Sequence, residues 1–218
     1  GIYSLSVYPL SQYGATGVAL ECGAMGKNLT EWQYGLASLK PRWNVSGSYM
    51  QVLPRFVSID EYGNEYDFLS DYVCTRPEML SRVFLKGYQW PFDVRKLENG
   101  SSIVDILCLL ESEKGRKVYL DFMHNPDFAP IPWSELSDDA RSYLEASGAT
   151  EDTPIKRLKK LNLPAYDFYL DKGVDLEKEY LEIGLCAQHN NGGLSINTWW
   201  ESNIKGLFPV GECAASHG

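Results

Sequence analysis

The chain has 218 residues, 44% hydrophobic and 22% charged, enough to bury a core in one sizeable domain or two modest ones. A formal net charge of −9 argues against a nucleic-acid surface, which needs clustered Lys and Arg, and no apolar stretch approaches the roughly 20 residues of a membrane-spanning helix. The five cysteines, Cys22, Cys74, Cys108, Cys186 and Cys213, form no C-x-x-C pair; they read as buried single thiols in a reducing, cytoplasmic compartment, not a disulfide framework or a metal site.

In chain order, Ile2 to Tyr8 alternates as a strand does and Pro9 closes it. Gly14-Ala15-Thr16-Gly17 is a small-residue turn, and Val18 to Met25 reads as a short helix with Thr16 as N-cap and Gly26 as C-cap. Ser48 to Leu53 and Arg55 to Ile59 read as strand around Pro54, and the turn Asp60 to Asn64 returns the chain through Glu65 to Leu69 as a hairpin. Helical patterns then dominate: Pro77 to Tyr88, Ser102 to Lys114, Trp133 to Ala146 and Pro154 to Leu161, with Lys117 to Phe122 a strand between two of them. The basic run Lys156, Arg157, Lys159, Lys160 reads as the solvated face of a helix. Tyr180 to Gln188 and Leu194 to Trp200 are strand-like on either side of Asn190-Asn191-Gly192-Gly193, the short-range signal of a hairpin whose turn accepts positive φ. Leu207 to Val210 reads as a short buried strand.

The expected fold class is α+β: a discontinuous α/β layer from residues 1–58 and 180–218, with an inserted α-rich domain at 59–179. Starting at Gly1 and stopping on a turn-like stretch, the sequence also reads as a piece of a longer protein.

Three places carry chemistry. Gly211-Glu212 ends an apolar run with a glycine and a carboxylate that accepts from sugar or polyol hydroxyls; the bland alternative is a glutamate on a solvated loop. Gln188-His189-Asn190-Asn191-Gly192-Gly193 puts three amides and an imidazole around one tight turn, able to hold a carboxylate or an N/O heterocycle and move a proton; the alternative is a hairpin that uses its Asn residues only for the turn. His217 lies in a small-residue run that could form an anion nest, or has no role. Arg76, Arg82 and Arg95 could clamp a carboxylate, and His124 reads as a satisfied loop histidine. No metal-site spacing, nucleophile elbow, Walker loop or G-x-G-x-x-G is present.

Taken together, Gln188-His189-Asn190-Asn191-Gly192-Gly193-Leu194 and Gly206-Leu207-Phe208-Pro209-Val210-Gly211-Glu212, then His217-Gly218, resemble the late part of the fumarate reductase/succinate dehydrogenase flavoprotein family, where H-x-x-M-G-G precedes G-L-[FY]-A-x-G-E and then H-G-x-x-R. Ala19-Leu20-Glu21-Cys22-Gly23-Ala24 and Glu31-Trp32-Gln33 resemble that family's A-L-x-A-G-A and E-F-x-Q. The resemblance implies a flavin domain split by a capping domain, with substrate at the seam and Glu212 reaching the FAD ribityl chain, Gly211 and His217 beside it. It departs at three points: Gln188 stands where the family has a histidine, Gly35 stands where it has a second, and Gly14-Ala15-Thr16-Gly17 lacks the Asp of T-G-D-G.

The resulting expectation is a flavin-dependent oxidoreductase in its full-length form, moving a hydride between FAD and a small organic acid-like substrate. Gln188, His189 and Asn190 would face the substrate, and His189 with Arg82 (or Arg76) would handle the proton. No nucleic acid, metal or membrane span is expected, the redox partner stays open, and the fragment alone should be inactive. The departures keep a catalytically silent binding module as the alternative, and the abundant Trp and Tyr a carbohydrate-binding surface as a third.

Overall fold

The computed structural model describes residues 14–73 and 75–216. The strand expected over 2–8, Cys74 and His217 lie outside them. The described chain runs α1 (Ala15–Glu21), β1 (Gly26–Lys27), β2 (Trp32–Leu39), β3 (Arg42–Asn44), α2 (Ser48–Gln51), β4 (Arg55–Ile59), β5 (Glu65–Tyr66), α3 (Arg76–Lys86), α4 (Ser102–Glu113), β6 (Lys117–Asp121), α5 (Asp138–Ala146), α6 (Pro154–Asp171), β7 (Leu181–Asn190) and β8 (Gly193–Leu194). Helices and an antiparallel sheet are both present, so the α+β class holds. Two compact units form, one from 14–35 with 186–216 and one from 36–185, so the divisions fall at 35 and 185, inside β2 and β7, not at 58 and 180.

The larger unit is built on a sheet of order β3-β2-β7-β6-β4-β5. Antiparallel β6 is central: Val118 faces Ile183 of β7 on one side and Ser58 of β4 on the other. The strand expected over Lys117 to Phe122 thus forms as β6, with partners some 60 residues away on both sides, which no local pattern announces. The hairpin β4–β5 forms as the sequence predicts, with Asp60 Oδ1 accepting from the Tyr62 and Asn64 amides and Gly63 at φ 86°.

Helices cover the sheet with apolar faces. In α3, Thr75 caps the Glu78 amide, Pro77 opens the first turn, and Met79, Leu80, Val83 and Phe84 recur at helical spacing to enter the core. In α4, Val104, Leu107 and Cys108 do the same. The expected helix 133–146 splits, a 3-10 turn at Trp133–Glu135 preceding α5, because the Ser137 hydroxyl caps the Ala140 amide and starts a new helix. The helix expected to stop at Leu161 instead continues to Asp171 through a break at Asn162 (φ −156°). Pro164 lacks the amide and clashes with the preceding turn, and Asn162 Oδ1 restarts the helix by accepting from the Ala165 amide.

Other expectations are corrected. Ser48–Gln51 is a buried helical turn, not strand; Tyr49 and Met50 sit in the core, and a single turn is too short to show a period. Arg157 is not on a solvated face. It is fully buried, donating to the Val52 and Glu151 carbonyls and to Asn125 Oδ1, and burial lowers its guanidinium to about 10. Cys108 and Cys186 are buried, but Cys22 is exposed and Cys213 partly so.

The smaller unit carries α1, β1 and β8. Gly14, at φ 100°, precedes α1 as its N-cap; Thr16 lies inside the helix and is buried. The chain turns at Gly23 (φ 92°), and Gly26 lies in β1, not at a helix end. β8 pairs antiparallel with β1, Gly26 opposite Leu194 and Lys27 opposite Gly193. The Asn-Gly hairpin is therefore absent: β8 pairs with a strand about 170 residues earlier, and neither Asn191 nor Gly192 has positive φ. Leu207 to Val210 forms no strand, with Phe208 and Val210 exposed.

Candidate functional site

The smaller unit contains a cleft of about 380 Å³. Its walls are the first turns of α1 (Gly14, Ala15, Thr16, Ala19), Leu194 of β8, and the run Leu207 to Val210 with Glu212 and Cys213. The volume falls within the range of about 300–1,000 Å³ usual for small-molecule and cofactor sites. Small residues on α1 leave the room, apolar residues make most of the wall, and Glu212 supplies a carboxylate.

Glu212 is set by its backbone. Gly211, at φ 68°, starts a 3-10 turn over Gly211–Cys213. Leu194 bridges to Ala214 in parallel, and the Ala215 amide donates to the Leu194 carbonyl at 3.0 Å. A Cβ on Gly193 would lie 2.4 Å from the Cys213 carbonyl oxygen, so only glycine lets the two segments approach. The same holds at Gly192, where a Cβ would lie 2.1 Å from the Asn28 carbonyl oxygen. The Gly192-Gly193 pair thus serves close backbone packing.

The strand β7 separates the residues expected to act together. Successive side chains alternate, so Gln188 and Asn190 are buried on one face and His189 points to the other. Asn190 is committed to the backbone: Oδ1 accepts from the Gly192 amide at 2.6 Å and Nδ2 donates to the Leu29 carbonyl. Asn191 accepts from Gln33 Nε2 and its amide donates to the Glu31 carbonyl. His189 meets the carboxylate instead, with Nδ1 2.8 Å from Glu212 Oε1. Period-two alternation in Cys186-Ala187-Gln188-His189-Asn190 was the signal that could have divided the trio.

The arginines lie in the larger unit. Arg82 is paired with Glu78 at 2.7 Å and donates to the Leu97 and Glu98 carbonyls. Arg76 donates to the carbonyls of Pro126, Ala129 and Pro130 and faces Asp127. Both guanidiniums therefore brace loops of their own unit, and Arg95 pairs with Asp93 on the surface. His124 is satisfied by Asp121, Nδ1 to Oδ2 at 2.8 Å. Sequence reasoning missed the Arg55 cluster in that unit, where a buried guanidinium meets Glu65, Asp67 and Asp121. Of the tryptophans that bear on a sugar-binding surface, Trp199 and Trp200 are exposed and Trp32 and Trp90 are half-buried.

Among the described residues, no group of three or more His, Cys, Asp or Glu could hold a metal ion, and no helix is long and apolar enough to cross a membrane.

No family model matches the chain. It is similar to a fumarate reductase (CoM/CoB) subunit of Methanothermobacter marburgensis, 34% identical over 106 residues, or 48% of this chain and 19% of that one. It is 35% identical over 77 residues to an uncharacterised FAD-dependent oxidoreductase of Methanocaldococcus jannaschii, 35% of this chain and 14% of that one. To L-aspartate oxidase of Pyrococcus furiosus it is 30% identical over 81 residues, 36% of this chain and 18% of that one. Against a solved E. coli quinol fumarate reductase the TM-score is 0.47 at 21% identity, with 92% of this chain and 29% of that one covered. The chain thus spans less than a third of each of these proteins. Over part of its length the chain is therefore similar to FAD-dependent oxidoreductases, a fumarate reductase subunit and L-aspartate oxidase among them.

Proposed function

We propose that the full-length parent is an FAD-dependent oxidoreductase acting on a small organic acid, and that the cleft of the smaller unit takes part of the flavin cofactor. The observation that carries this reading is Glu212, a carboxylate in the wall of an otherwise largely apolar, ligand-sized cleft. The donor set fits the group: an ionised carboxylate only accepts hydrogen bonds, which suits the hydroxyls of a ribityl chain or ribose. Leu194, Leu207 and Val210 give apolar surface for a planar ring. When bound, the flavin supplies the hydride chemistry, and the protein supplies binding and orientation. The flavin requirement and the oxidoreductase class are supported by the relatives' names. A small acid as substrate follows the fumarate reductase and L-aspartate oxidase among them.

A second reading, a flavoprotein-like module without turnover, is favoured by one observation. Gln188, standing at the family's histidine, is buried, and the Asn190 amide is committed to its own backbone layer.

The deciding experiment is an ultraviolet–visible spectrum of the purified full-length parent, followed by addition of candidate dicarboxylic and hydroxy acids. A flavin band near one-to-one content that bleaches with one acid supports the oxidoreductase and begins to name its substrate. A flavin band that no donor or acceptor alters supports the silent module. A colourless protein that takes up no added FAD overturns both. The 218 residues alone, at a small share of the relatives' length, are expected to turn nothing over.

A further inference from the structure

We propose that His189 is a positioning residue for Glu212, fixing the carboxylate so that it receives a hydroxyl donor of the cofactor. The inference rests on the flavin reading above and gives a role to His189, one position after Gln188, where the resemblance places its histidine.

Two structural ties bring the pair together. The backbone tie runs through β8: Leu194 bridges to Ala214, the Ala215 amide donates to the Leu194 carbonyl, and Gly193 packs against the Cys213 carbonyl. This fixes the Gly211–Cys213 turn against the segment that follows β7. The side-chain tie is His189 Nδ1 to Glu212 Oε1 at 2.8 Å. Because β7 alternates, His189 is the residue of its end that faces away from the buried Gln188 and Asn190. The backbone tie sets where Glu212 starts, and the side-chain tie holds one oxygen of its carboxylate.

The physical consequence is pre-organisation. A glutamate partly open to solvent loses up to about 2 kcal/mol of rotamer freedom when a ligand orders it. A carboxylate already held by an imidazole has given up part of that freedom before the ligand arrives. One oxygen engaged by His189 also restricts the directions from which a second donor can approach, so the ligand group in this part of the cleft must present a hydrogen-bond donor, as a ribityl hydroxyl does. His189 thus acts on affinity through Glu212 and does not itself touch the flavin.

The test is FAD binding by the full-length parent, titrated calorimetrically for the wild type, His189→Phe, His189→Asn, Glu212→Gln and the double variant His189→Phe/Glu212→Gln. Asn keeps a donor near the Nδ1 position, and Phe keeps a ring without one. His189→Phe is expected to raise the FAD Kd about tenfold, the scale of one lost hydrogen bond. His189→Asn should recover most of that loss. In the Glu212→Gln background His189→Phe should add at most about twofold, since coupled residues are not additive. With lumiflavin, which has no ribityl hydroxyls, His189→Phe should leave affinity unchanged. Losses that add in full in the double variant, or His189→Asn no better than His189→Phe, overturn the inference while leaving the flavin reading standing. A wild type that takes up no FAD overturns the reading and the inference with it. Thermal melts of each variant identify misfolding, and the His189→Asn and Glu212→Gln pair carries the same comparison if the phenylalanine variant does not fold.

Discussion

A methyl group on Gly192 would lie 2.1 Å from the Asn28 carbonyl oxygen, whereas one on Gly206 would meet nothing within 4 Å but would sit at φ 82°. Two different costs follow. Gly192→Ala forces backbone apart and should destabilise by about 2 kcal/mol or more; Gly206→Ala only strains its own φ and should cost about 1 kcal/mol. Thermal unfolding should rank them in that order, and equal melting temperatures would refute close packing as the reason for Gly192. The sequence showed two adjacent glycines and suggested positive φ. The reason is instead a neighbour about 160 residues away, which adjacency in the chain cannot reveal. The same limit applies to Arg157. Within its basic run it looks like any surface cation, yet it is buried with Val52, Asn125 and Glu151 as acceptors. Arg157→Leu leaves three acceptors without their donor and should cost about 3 kcal/mol in urea unfolding, while Lys156→Leu on the exposed side of the same turn should cost less than about 0.5 kcal/mol.

Helices α3 and α4 are joined by an ion pair that the hydrophobic pattern gives no hint of. Lys86 and Asp105 are both buried and in contact. Burial pushes the Asp105 carboxyl up to about 6, with Lys86 pulling the other way. The folded value therefore lies above the ordinary value of about 3.9. A raised carboxyl contributes stability that is complete below the unfolded value and lost as pH rises through the folded one, so the window is about pH 4 to 6. The difference in unfolding free energy between wild type and Asp105→Asn should shift by about 3 kcal/mol across it, against the wild type as pH rises. Urea titrations at intervals from about pH 4 to 7 check this, and a pH-independent difference would refute it. The spans of these helices were legible because Thr75, Pro77 and the spacing of Met79, Leu80, Val83 and Phe84 all agree. The length of α6 was not: the break at Asn162 before Pro164 reads as an end, and only the restart on Asn162 Oδ1 carries the helix on.

For the whole molecule, the described chain forms two compact units whose divisions fall inside strands β2 and β7. Strands that serve both units carry one continuous pattern, so composition gives no mark at residues 35 and 185. The sequence by itself determined the α+β class, the helix positions in the middle of the chain, the hairpin β4–β5, and the resemblance to flavin-dependent oxidoreductases, because these depend on local spacing, capping and short motifs. It also singled out Gly211, Glu212 and His189. Only the tertiary structure decided which strands pair, that β8 joins β1 instead of closing a hairpin, and that Asn190 serves the backbone. The same holds for the pairing of His189 with Glu212. In each of these cases a partner lies tens to more than a hundred residues away; Asn190 reaches Leu29 across such a span while also closing on Gly192. A side chain's role there is set by what folding brings against it.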